Sequence, residues 1–88
     1  MRGLAWLDAL PEDYALLFRR CRSVHTFGMR FPIDVIFLDR QGTVVRVARG
    51  VARRRQESER GARSVVETLG GQADRFIAAG LEDAVGAL

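Results

Sequence analysis

Ile33-Asp34-Val35-Ile36-Phe37-Leu38, Asp39-Arg40-Gln41-Gly42 and Thr43-Val44-Val45-Arg46-Val47-Ala48 follow one another through the middle of this 88-residue chain. The first and third stretches are rich in β-branched and aromatic residues, which suit a pleated, half-buried strand. Four polar residues ending in glycine separate them, and that pattern reads as a β-hairpin. Gly42 is expected in the left-handed conformation that closes a type I turn with a bulge. The first strand is apolar on both faces and should be central. The second carries Arg46, so one of its faces should meet water.

Outward from the hairpin the signals weaken. Arg49 to Ala62, RGVARRRQESERGA, is polar and reads as a long exposed loop. Arg63 to Leu69, RSVVETL, predicts a short strand closed by Gly70-Gly71. Gln72 to Ala79 places Ala73, Phe76 and Ile77 at helical spacing, with Gly80 as a C-terminal stop. Glu82 to Leu88 predicts a last short strand. On the N-terminal side, Pro11-Glu12-Asp13, YALLF and Arg19-Arg20 carry the start and stop signals of a helix. The same Ala15 to Phe18 also suits a short buried strand, although local pattern leans to the helix.

The totals describe one small domain, residues 1–88. A chain of this length buries only about 60% of the surface that its unfolded form exposes. Apolar residues make up 48% and charged residues 28%, too apolar for disorder. The longest apolar run, Tyr14 to Phe18, is far short of the ~20 residues of a membrane span. Nothing resembles a signal peptide, so no membrane partner and a cytoplasmic location are expected. The one cysteine, Cys21, rules out an intramolecular disulfide and a multi-cysteine zinc site. All 14 basic side chains are arginine, which fits phosphate recognition, but with Ala, Gly and Val also plentiful a GC-rich genome is the favoured explanation.

Residues 22–47, RSVHTFGMRFPIDVIFLDRQGTVVRV, contain His25-Thr26, Met29, Pro32-Ile33-Asp34 and the apolar strand ending at Asp39. With Gly42, this order resembles the core of the domain-of-unknown-function family numbered 192. SVVETLGGQADR resembles a further family segment, with Glu67 and Gly71 on matching positions, and Arg2-Gly3-Leu4 resembles the family's Arg-Gly-Leu. The resemblance covers nearly the whole chain. It implies a mainly β fold, borderline α+β: a compact β-sandwich or partly closed barrel of short strands with one or two short helices. It also favours a strand at Ala15 to Phe18, which is the expectation adopted. In the family, Arg-Gly-Leu usually follows a first strand. Here it sits at residue 2, so either the start lies upstream or the domain lacks that strand. A missing strand would leave an open edge and a tendency to homodimerise. The family's late Gly-Asp pair is degenerate here, at Gly80-Leu81-Glu82-Asp83.

The candidate site is HTFGMRFPID, where His25, Met29, Arg30 and Asp34 fall close together around Gly28 and Pro32. Loops held by rigid strands are where sites tend to sit. As a ligand pocket, His25 would donate or accept, Arg30 would anchor an anion, and Asp34 would accept or orient. As plain structure, Asp34 caps a turn, His25 bonds a carbonyl and Met29 fills core. Glu67 matches the family and joins the candidate set, either beside Asp34 or paired with Arg30 or Arg63. Cys21, His25 and Met29, spaced four apart, have the softness for Cu(I), but Gly28 argues against one regular element. A Cys21–His25 nucleophile pair oriented by Asp34 lacks a recognisable oxyanion hole. Residues 40–63 hold eight arginines against two acids, yet no aromatic lies between Phe37 and Phe76 to stack a base.

The reading is therefore a binding or accessory module for a small polar or anionic ligand, held by His25, Met29, Arg30, Asp34 and Glu67. No catalytic residue, cofactor or metal is assigned, and nucleic acid is disfavoured. The alternatives are an interaction module using an open sheet edge or the arginine-rich loop 49–63, and an enzyme or metal site on Cys21, His25 and Asp34. A pocket module should weaken on His25→Ala or Asp34→Asn without losing its fold.

Overall fold

The computed structural model describes residues 14–25, 31–51 and 56–88, with 24, 25 and 56 described by backbone alone. The described chain runs β1 (Ala15–Arg19), β2 (Ser23–His25), β3 (Ile33–Leu38), β4 (Val44–Val51), β5 (Gln56–Ser58), β6 (Ser64–Leu69), α1 (Ala73–Ala78) and α2 (Leu81–Gly86). Four strands form an antiparallel sheet in the order β1-β6-β3-β4, and β2 pairs with β5 in a separate two-stranded ribbon. The mainly β expectation with short helices holds.

The hairpin is β3 and β4, with β3 central and buried at all six positions. Its alternate residues serve two cores. Ile33, Val35 and Phe37 join Val51, Ala62 and Val65 on one face. Ile36 and Leu38 join Val66 and Ala73 on the other. Burying each of the large side chains contributes roughly 1.5–3 kcal/mol. Gly42 has φ +85°, the left-handed turn that the sequence demands. Asp39 fixes this turn: its Oδ1 accepts the N–H groups of Gln41 and Thr43, each at 2.9 Å.

Ala15 to Phe18 is a strand, as expected. Locally it could have been a helix, but β6 needs a partner for its second edge. β1 supplies one, from Ala15 opposite Thr68 to Arg19 opposite Ser64. Its alternation also serves both cores, with Leu16 and Phe18 on one face and Ala15 and Leu17 on the other. Buried backbone groups must be paired, and that requirement overrides weak local propensity.

Two expectations fail. The polar stretch 49–62 is not one exposed loop. β4 continues to a buried Val51, β5 forms at Gln56–Ser58, and Ala62 is buried in the core. Pairing decides this, because Gln56 to Ser58 align with His25 to Ser23. Arg46 is accordingly half-buried. It is ion-paired to Glu57 at 2.7 Å and stacked over the Phe37 ring at 5.4 Å. The tail is not a strand: residues 81–86 are helical. Ala73, Ile77, Leu81 and Val85 recur every four residues and cover the second core. Gly80, with φ +101°, ends α1 as anticipated and starts α2. No helix among the described residues is long and apolar enough to cross a membrane.

Candidate functional site

Asp34 and Glu67 sit on neighbouring strands but face opposite ways. Asp34 aligns with Thr68, and Glu67 aligns with Val35 on β3 and Leu16 on β1. Because strand side chains alternate, Glu67 shares the face of Val35 and Asp34 the other. The two carboxylates therefore do not converge on one pocket.

Asp34 is almost completely buried and fully engaged. Its Oδ1 accepts the N–H of Gly50 at 2.9 Å. Its Oδ2 accepts the N–H groups of Gly71 at 3.0 Å and Ala73 at 2.9 Å. Gly50 lies where β4 bulges, since Ile33 aligns with Val51 while Val35 aligns with Ala48. Ala73 is the first residue of α1, whose own N-cap Gln72 makes no side-chain cap bond. One carboxylate thus ties β3 to the β4 bulge and to the start of α1, where a negative charge also suits the helix dipole. Arg49 braces the same junction through Asp74 at 2.7 Å, and this hydrogen bond holds the Asp74 carboxyl below its usual range. That arrangement is the turn-capping role weighed for Asp34.

Glu67 is 1% exposed, and its Oε1 has no hydrogen-bond partner among the described residues. Burial pushes its carboxyl up to about 7. The expected pair with Arg63 is not made, since Arg63 is exposed at the head of β6. Met29 and Arg30 lie outside the described residues. The backbone of His25 aligns with Gln56 in the ribbon. Cys21 is half-buried against the first core, its Sγ donating to the Ser23 carbonyl at 3.3 Å. No group of three His, Cys, Asp or Glu side chains is placed to hold a metal among the described residues.

A concave, charged surface lies elsewhere among the described residues. A cleft of about 250 Å³ opens at the end of the sheet where β1 and β3 finish and β6 begins. Arg19, Arg20, Arg40 and Arg63 line it, with Asp39 the one acid. The register explains the convergence: Arg19 and Leu38 both align with Ser64, so three strand ends meet at one rim. Arg20 has φ +55°, a left-handed backbone uncommon for a side chain of this size. That residue breaks strand alternation, so neighbouring Arg19 and Arg20 can line one cleft. None of these four guanidiniums is in an ion pair among the described residues. Sequence reasoning missed the cluster. It had weighed the excess arginine of 40–63 as a single basic loop, but Arg46 and Arg49 of that stretch are spent on Glu57 and Asp74. Arg53, Arg54 and Arg55 lie outside the described residues. The signal that could have found the cleft is an arginine at three successive element ends.

Fold and site together define a small mainly β domain with an arginine-lined cleft. The chain matches the family model DUF192, described as Uncharacterized ACR, over residues 1–82, and it belongs to that family. Its fold is similar to the crystal structure of a protein of unknown function from Novosphingobium aromaticivorans. The TM-score is 0.75 at 22% identity, covering 84% of this chain and 58% of the other. This chain thus spans less than two thirds of that protein's length, and at this identity the likeness speaks for fold alone. No curated protein matches the chain.

Proposed function

We propose that this domain is a small binding module, acting in the cytoplasm, which takes an anionic ligand in the cleft of Arg19, Arg20, Arg40 and Arg63. The observation that carries the reading is the convergence of four arginines without ion-pair partners among the described residues on one concavity. Like charges held together repel one another, and an anion between them relieves that repulsion. Guanidinium forks match the paired oxygens of phosphate and carboxylate groups. The single acidic side chain at the rim, Asp39, is held to the hairpin turn by two backbone N–H groups and leaves the arginines in excess.

This reading keeps the anionic ligand expected from the sequence and moves the site away from His25–Asp34, because the Asp34 carboxylate is spent on the backbone. The test is an NMR titration of the full chain with inorganic phosphate at low ionic strength. Amide shifts should cluster at residues 19–20, 39–42 and 63–64 and vanish in the Arg40→Gln/Arg63→Gln double variant. Shifts scattered over the surface, or unchanged in the double variant, would refute it.

A further inference from the structure

We infer that the ligand of this cleft carries two linked phosphate groups, that is, a diphosphate; the inference rests on the anion-binding reading above. A second recess of about 140 Å³ adjoins the cleft, lined by Arg20, Arg22, Ala62 and Arg63. Arg20 and Arg63 line both concavities. They stand as a shared wall, with Arg19 and Arg40 on one side and Arg22 on the other.

The wall is built on fixed backbone. The Cys21 N–H donates to the Arg63 carbonyl at 2.9 Å, which holds the end of β1 beside the start of β6. The Arg63 N–H donates to the Leu38 carbonyl at 2.7 Å, and the Glu59 N–H to the Arg22 carbonyl at 3.0 Å. All three arginines of the recess are thus anchored through their own main chain or that of an immediate neighbour. Two adjoining subsites on a fixed backbone suit a ligand whose two charged groups are covalently linked, since only the arginine side chains remain to be ordered on binding.

Charge sets the ligand class. Five arginine side chains face the two concavities against one acidic side chain, Asp39. A single phosphate group carries roughly two negative charges at pH 7, so it would leave about half of that excess uncompensated. A diphosphate answers it, and its two groups share a bridging oxygen as the two subsites share Arg20 and Arg63. No aromatic residue lines either concavity, so recognition falls on the diphosphate itself and not on a stacked base.

The experiment titrates the full chain with inorganic phosphate and with inorganic pyrophosphate at equal, low ionic strength by calorimetry. Pyrophosphate should bind about tenfold tighter or better, the gain expected when a second charge-assisted subsite engages. Arg22→Gln should erase that advantage by weakening pyrophosphate about tenfold more than phosphate, whereas Arg40→Gln should weaken both ligands. Both positions are exposed, and an NMR spectrum of each variant verifies its fold. Equal affinity for the two ligands overturns the diphosphate inference and leaves the anion-binding reading standing. Binding of neither ligand overturns both. Pyrophosphate binding that ignores both substitutions overturns the assignment to this surface.

Discussion

Oδ1 of Asp34 lies 2.9 Å from the backbone nitrogen of Gly50, and through this bond a residue of the central strand holds a bulge in the strand beside it. The same carboxylate receives Gly71 and Ala73 on its other oxygen. Three backbone donors from two separate segments therefore depend on one buried side chain.

Asp34→Ala should strip partners from all three donors. Only the Ala73 N–H is buried, whereas Gly50 and Gly71 are exposed and can turn to water, so the loss should be about 1–3 kcal/mol. Asp34→Asn should also destabilise, because an amide has only one acceptor oxygen and its NH₂ would confront an N–H. Urea unfolding measures both. A variant Asp34→Asn with unchanged stability would contradict this account and restore Asp34 to a pocket.

Glu67 should make stability fall as pH rises. Its carboxyl titrates near 4.5 when unperturbed and at about 7 in the fold. Below pH 4.5 both states hold the proton. Between 4.5 and 7 the unfolded chain releases it first, so unfolding is favoured, and above 7 the loss levels off. A shift of this size corresponds to about 3 kcal/mol. Glu67→Gln should flatten the dependence and be more stable than the natural chain at pH 8. Unfolding curves at pH 5 and pH 8 for both proteins test it; parallel profiles would refute it.

Gly42 and Gly50 both have positive φ but should respond differently to alanine. A Cβ at Gly42 would come within 2.6 Å of the Gly86 nitrogen and 2.7 Å of its Cα, where α2 packs on the hairpin turn. At Gly50 a Cβ meets nothing within 4 Å. Gly50→Ala should therefore cost about 1 kcal/mol, the left-handed strain alone. Gly42→Ala should cost at least about twice that, since α2 must move as well. Thermal denaturation of the two variants gives the order directly.

Glu82 should pin α2 to the sheet. Its Oε2 accepts the Val44 N–H at 2.7 Å, across the whole distance from the tail to the start of β4. Glu82→Ala should leave that donor without its charged partner and lower stability by about 1–3 kcal/mol. Hydrogen exchange at Val44 should speed up selectively.

Much of this architecture is legible in the chain because its evidence is local. The β3–β4 hairpin follows from two β-prone runs and a turn whose Gly42 must adopt positive φ. The strand at Ser64–Leu69 and the helix stopped by Gly80 follow from short patterns of the same kind. The family resemblance favoured a strand at Ala15–Phe18, and a turn-capping role for Asp34 was one of the two readings that its own residues allowed. What remained hidden depends on partners distant in sequence. A helix at Leu81–Gly86 is stable because Leu81 and Val85 find the second core, which no window of seven residues contains. Gln56–Ser58 is a strand because residues 23–25 lie alongside it. The arginine cleft is the clearest case. Charge and its excess belong to the sequence, but the strand order β1-β6-β3 alone brings Arg19, Arg20, Arg40 and Arg63 to one rim, while pairing removes Arg46 and Arg49 from consideration. Composition fixes how many charges a chain carries; only the register of its strands decides which of them are left facing one another.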